Sequence, residues 1–144
     1  MSSGSAAVRF ATMEDLPFLL AQEYAPEAMV RRRVELGEVI VAEREGEVVG
    51  LLRFEWMWSE IPFIGLIRVE PEHRKQGVGR AMLAFLEAHL LGRELHHKIL
   101  MSSSEAMEPS AQSWHRHMGF VECGFIMGLN EGDVGEVFFQ KTLE

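Results

Sequence analysis

The sequence predicts a mixed α/β (α+β) protein with helices on both faces of a sheet, and three stretches predict it. Residues 62–69, PFIGLIRV, are nearly all apolar, as expected of a strand covered on both faces. From Gly77 to Leu91, Val78, Met82, Phe85 and His89 recur at helical spacing, and Gly92 closes the run. Between residues 39 and 58, two β-rich runs flank REGE, the pattern of a hairpin turning at Gly46.

The remaining elements follow in chain order. Val8–Phe10 is a short strand. Thr12 with Asp15 three residues later resembles a capping box, and Leu16, Phe18, Leu19 and Leu20 continue it as a helix. In PEAMVRRRVELGE, Pro26 starts a helix and Gly37 ends it, with Arg31, Arg32 and Arg33 as a solvated face. In the second hairpin strand Leu52, Phe54, Trp56 and Trp58 point one way, Arg53 and Glu55 the other. KILMSS, residues 98–103, is a further strand. Pro109–His117 is a helix, with Gly119 as the left-handed residue beyond its end. FVECGFIMGL and EVFFQKTL are late strands joined by NEGDVG. Without repeats, linkers or low-complexity tracts, residues 1–144 are expected to form one domain, with residues 1–6 a disordered N-terminus.

At 144 residues the chain is long enough for a real core. Its net charge of −8 argues against nucleic-acid partners, because such proteins work by neutralising phosphates. The charge is compatible with cationic or amine substrates. The one cysteine, Cys123, excludes an intrachain disulfide and suits a reducing compartment, so a cytoplasmic location is expected, with the thiol buried. No apolar run approaches the roughly 20 residues that span a bilayer, so no membrane partner is expected. The opening MSSGSAAVRF lacks the pattern of a signal peptide.

The chemistry concentrates in VEPEHRKQGVGRAML, residues 69–83, where the apolar strand meets the helix. A helix N-terminus offers unpaired N–H groups and a positive dipole end, and glycines let backbone approach an anion closely. Such a joint suits a pyrophosphate. It is not a P-loop, for G-x-x-x-x-G-K-[ST] is absent. It is not the dinucleotide fingerprint either, since a third glycine would have to occupy position 82, which is Met82. What stands there is R-x-x-G-x-G, as Arg74-Lys75-Gln76-Gly77-Val78-Gly79, preceded by Val69-Glu70-Pro71.

This joint resembles motif A of the GNAT acetyltransferase superfamily. VRFATMEDL is similar to that family's first strand and helix start, EREGEVVGLLRF to its strand 2–strand 3 hairpin, and AQSWHRHMGFVECG to its late segment ending in Gly-Phe. The resemblance implies the GNAT acyl-CoA N-acyltransferase fold, a mostly antiparallel sheet of six or seven strands flanked by about four helices. It implies acetyl-CoA as cosubstrate. Backbone N–H groups of Gln76, Gly77, Val78, Gly79 and Arg80 would hold the pyrophosphate, with the Arg74 and Lys75 side chains beside it. Main-chain groups of Ile67 and Val69 would hold the pantetheine arm like an added strand. It also implies homodimer formation through the late strands.

Acyl transfer to an amine requires loss of an amine proton, a donor to the thioester carbonyl and a proton for the departing thiolate. The family's usual acid is a tyrosine four residues before the Gly of Gly-Phe. Here that residue is His115, expected to act as the general acid, or else to hydrogen-bond within its helix. His117 faces away from it. The family's mid-strand carboxylate is also absent, its position being Gly65. Glu55, Glu60, Glu105, Glu108 or a water stand as alternatives for the base. FEWMWSE either lines an acceptor pocket or packs the sheet. His96-His97 reads as a connection, and no metal site is expected. Where the family often has an Asn that touches the pantetheine arm, this sequence has Met107-Glu108, and Ser102–Ser104 stand as candidate replacements. The expected reaction is direct transfer of acetyl to a primary amine of a small-molecule acceptor. The competing reading is a catalytically silent CoA-binding sensor.

Overall fold

The computed structural model describes residues 5–144. The expected disorder of the N-terminus therefore lies, for residues 1–4, outside the described residues. Seven strands form a sheet in the order β1-β2-β3-β4-β5-β7-β6: β1 (Ala7–Phe10), β2 (Val39–Arg44), β3 (Glu47–Met57), β4 (Ile61–Val69), β5 (Ile99–Glu105), β6 (Val121–Ile126) and β7 (Glu136–Thr142). The helices are α1 (Leu16–Gln22), α2 (Glu27–Glu35), α3 (Val78–Leu91) and α4 (Pro109–His117). Pairing is antiparallel for β1–β2, β2–β3, β5–β7 and β6–β7, and parallel for β4–β5. The described chain packs as two compact units, one made of the residues up to Phe54 with Leu66–Gly92, the other of Glu55–Gly65 with Arg93–Glu144.

In the first unit the hairpin turn matches expectation for a steric reason. Glu45 and Gly46 both have positive φ, 53° and 79°, the conformation that a two-residue turn between twisted strands demands. The strands β2 and β3 supply the core with Ile40, Val41, Leu51, Leu52 and Phe54, each at most 1% exposed. Met82, Leu86 and Leu90 of α3 are fully buried, while Phe85 and His89 pack their rings edge-on against Phe10 at 5.2 and 5.1 Å. The helix can lie this close because β3 carries Gly50. A Cβ there would stand 3.2 Å from Met82 Cε and 3.3 Å from Val78 Cγ1. Gly50 thus brings the N-terminal turn of α3 down onto the strands.

The start of α1 is also tied by charge. Arg9 donates two hydrogen bonds to Asp15, at 2.8 and 2.9 Å, and reaches Glu43 with Nε at 3.3 Å. Asp15 in turn accepts from the Thr12 N–H at 2.8 Å, the expected capping contact. The Arg9 guanidinium holds the Asp15 carboxyl below the usual carboxylate range.

In the second unit β5 and β7 pair along their whole length, from Ile99 opposite Thr142 to Glu105 opposite Glu136. The late strand β6 lies at the sheet edge, and every residue of it is exposed. This corrects one expectation: Cys123 is exposed, not buried, because its strand has a neighbour on one side only. Partial desolvation pushes its thiol up. Trp58 departs too. It leaves the alternation of β3, sits at φ +53° with Ser59 at +61°, and is 80% exposed in the turn to β4.

Candidate active site and coenzyme turn

Between β4 and α3 the chain makes one turn of 3-10 helix, Pro71–His73, and then the glycine-containing turn. Gly77 is the N-cap of α3 at φ +83°, and Lys75, two residues earlier, is at +60°. A Cβ on Gly77 would meet nothing within 4 Å, so φ and not space demands glycine there. The first helical bond runs from the Ala81 N–H to the Gly77 carbonyl at 2.9 Å. The N–H groups of Val78, Gly79 and Arg80 thus precede the helical ladder, at the positive end of the α3 dipole. Lys75 and Gly77 place positive-φ residues on either side of Gln76, a kind of alternation from which anion-binding nests of backbone N–H groups are built.

Arg74, Lys75 and Arg80 are exposed around this turn. Arg74 folds back so that Nε donates to the Val69 carbonyl at 2.9 Å, which engages one of the main-chain groups expected to face pantetheine. Ile67 and Val69 are half-buried near the end of β4. The turn is tied from below by a residue the sequence did not single out. Arg44, at the end of β2 and only 8% exposed, donates to Gln76 Oε1 and lies 3.3 Å from His73 Nδ1.

His115 lies in the second unit, 3% exposed. Its Nδ1 is 2.7 Å from the Ala111 carbonyl, one helical turn back, and its Nε2 is 2.7 Å from Ser102 Oγ. A carbonyl only accepts, so Nδ1 carries the hydrogen. In the neutral ring Nε2 is then an acceptor for the Ser102 hydroxyl. The ring stacks on Phe139 with centroids 4.5 Å apart and planes 2° from parallel. Burial pushes its pKa below the ordinary histidine value, against the opposing effects of the Ala111 carbonyl and of Glu136. Ser104, two residues beyond Ser102 on β5, has a buried hydroxyl without a hydrogen-bond partner.

This lowered pKa gives a stability prediction with a definite sign. The unfolded chain takes up the proton near pH 6.5 and the folded one only below that. The contribution is complete above about pH 6.5 and is lost as pH falls toward the lowered folded value. Melting temperature is expected to decline between pH 7 and pH 5, and His115→Gln to flatten that decline, as followed by circular dichroism. An unchanged slope in the variant would contradict the assignment.

The alternatives for the base are all on the surface: Glu55, Glu60, Glu105 and Glu108 are exposed. Trp56 and Glu60 do line a hollow of about 520 Å³, together with Ser59, Arg93, Glu94, Leu95 and His96. The Arg93 guanidinium stands 4.9 Å over the Trp56 ring. His96 lies in the connection from α3 to β5, and among the described residues no cluster of three metal-binding side chains occurs. Glu136, which accepts from Ser103 Oγ at 2.5 Å and from Asn130 Nδ2 at 2.9 Å, was not found from sequence. Only the β5–β7 register brings it there.

The strand β4 is buried at Ile61, Pro62 and Ile64 but exposed at Gly65 and Arg68, and so is not covered on both faces along its length. It leads into a left-handed glycine and a free helix N-terminus, an arrangement that suits the class of proteins binding a phosphate group. Comparison with known proteins makes the class specific. The model of the Acetyltransferase (GNAT) family matches residues 8–120. Over 122 residues the chain is 26% identical to the S-alkylcysteine N-acetyltransferase of Bacillus subtilis (strain 168), covering 80% of this chain and 67% of that one. It is 27% identical to the ribosomal-protein-alanine N-acetyltransferase of Brucella melitensis, whose crystal structure superposes with a TM-score of 0.81 over 95% of this chain and 99% of that one. Ard1 of Thermoplasma volcanium shares the fold at a TM-score of 0.83 with 15% identity, over 96% and 98% of the two chains. The protein belongs to the GNAT acetyltransferase family, and it is an acetyl-CoA-dependent N-acetyltransferase.

Proposed function

We propose that the protein transfers the acetyl group of acetyl-CoA to a primary amine by direct attack in a ternary complex. The observation that carries this reading is the turn at Gln76–Arg80, whose left-handed Gly77 and free helix N–H groups suit a pyrophosphate. In this reading the exposed Arg74, Lys75 and Arg80 side chains add positive charge around the phosphates, and Ile67 and Val69 meet the pantetheine arm. Holding amine and thioester together supplies much of the rate, since effective molarities of roughly 10⁵ M or more are attainable.

The hydrogen bonding of His115 supports a role in fixing α4 to β5 over that of an acid. Its Nε2 accepts where an acid would have to donate. The names of the two relatives put the acetylated nitrogen on an amino acid, an S-alkylcysteine in one and a protein alanine in the other. We therefore rank amino acids and peptide N-termini first among acceptors. The family match spans both packing units, which supports a single domain over residues 1–144. The exposed apolar side chains Val121, Phe125 and Ile126 on the edge strand support a homodimer. The single thiol supports a cytoplasmic location.

The test is thiol release from acetyl-CoA in the presence of a panel of amino acids, peptides and small amines. Release above the amine-free control is expected for at least one amine. CoA binding without amine-dependent release across the panel would favour the sensor reading.

A further inference from the structure

We propose that Arg44 is a positioning residue for the coenzyme turn, acting through Gln76. The inference rests on the reading of that turn as the CoA pyrophosphate site. Among the described residues Arg44 is the one lysine or arginine that is buried. Keeping a guanidinium out of water is costly unless its hydrogen bonds are satisfied in a fixed geometry. Arg44 Nη1 donates to Gln76 Oε1 and meets His73 Nδ1 at 3.3 Å, so one cation from β2 grips the connection between β4 and α3 at two points.

The side chain of Gln76 is fixed at both of its polar atoms. Oε1 faces Arg44, which can only donate, and Nε2 donates to the Glu72 carbonyl at 3.1 Å. Its backbone lies between Lys75 at φ +60° and Gly77 at φ +83°. A left-handed lysine is an uncommon conformation that persists only where its surroundings over-determine it. Arg44 and Gln76 supply that constraint. They hold residues 75–77 in the alternating conformation that aims successive N–H groups at one anion. The coenzyme then finds the nest formed and does not bear the entropy of ordering it. The exposed Arg74, Lys75 and Arg80 contribute charge that salt screens, whereas the part played by Arg44 is geometric and depends on its partner.

That dependence makes the proposal testable by a double-mutant cycle on CoA affinity. Arg44→Met keeps the length of the stem without the donors. Gln76→Ala removes the acceptor but leaves the backbone N–H. Each is expected to weaken CoA binding about tenfold by calorimetry, and the double variant also about tenfold, because the second change removes nothing further. With an amine found active in the panel, KM for acetyl-CoA should rise about as much, with kcat at saturation within about twofold. Unaltered CoA affinity in either single variant, or a product near a hundredfold in the double, overturns the proposal. A fall in kcat at unaltered KM also overturns it. If Arg44→Met does not fold, Arg44→Lys, which keeps a cation but loses the fork, is expected to show the same weakening coupled to Gln76. Wild-type protein that binds no CoA would refute the donor-site reading itself, an outcome recognisable before any variant is made.

Discussion

Gly77→Val is expected to weaken CoA binding by about tenfold to a hundredfold. At φ +83° a β-branched side chain is strained by about 1–3 kcal/mol, although the space around the position is empty. The chain has two responses. It can keep the turn and bear the strain, or rotate the peptide and lose the alternation that aims the N–H groups of residues 76–80. The strain tips the balance toward the second, so the binding-competent turn becomes a minor state, and affinity falls by its fraction. Thermal stabilisation by CoA is the convenient readout. A variant that melts near the wild-type temperature alone but gains much less from the same concentration of CoA matches the prediction. Wild-type affinity in Gly77→Val would show that the left-handed turn is not what the coenzyme uses.

Phe139→Ala is expected to have the largest effect on stability, about 3–5 kcal/mol. Phe139 is fully buried and lies opposite Ser102 in the β5–β7 ladder. Its ring carries the flat face of His115. Truncation would remove the transfer energy of the ring, open a cavity and release the imidazole whose other contacts tie α4 to β5. Against a total of about 5–15 kcal/mol for a domain, that is a large share. Urea denaturation should show a midpoint lowered by about 2 M for a slope of 1–3 kcal/mol/M. Val121→Ala, at a 64% exposed position of the edge strand, should change stability by no more than about 0.5 kcal/mol. Equal midpoints for Phe139→Ala and wild type would contradict the placement of this ring.

The contrast between these residues shows where the sequence was legible. Elements with a strong local cause were readable: the apolar run of β4, the helical period of α3, the two-residue turn at Glu45-Gly46 and the left-handed Gly119 after α4. Their periodicity and turn chemistry are written within a few neighbouring residues. The turn at residues 74–80 belongs to this class, because its glycines, its basic residues and its helix are contiguous. The exposure of Cys123 was not legible, since VECGFI alternates like any half-buried strand and only strand order makes it an edge. The partners of His115 were hidden for the same reason. Helical spacing gives Ala111, but Ser102, Phe139 and the field of Glu136 arrive through tertiary packing and the β5–β7 register. Arg44 escaped notice because it stands 32 residues from Gln76 and ends a strand that otherwise reads as core. Residues that act by touching something distant in sequence leave no local signature.

The central claim is that the turn at residues 76–80 holds the pyrophosphate of CoA. Titration of isotope-labelled protein with CoA, followed by backbone amide chemical shifts, addresses it most directly. The account predicts saturable shifts that are largest at the amides of Gln76, Gly77, Val78, Gly79 and Arg80. Amides in this turn that stay unmoved while others shift and saturate would contradict it.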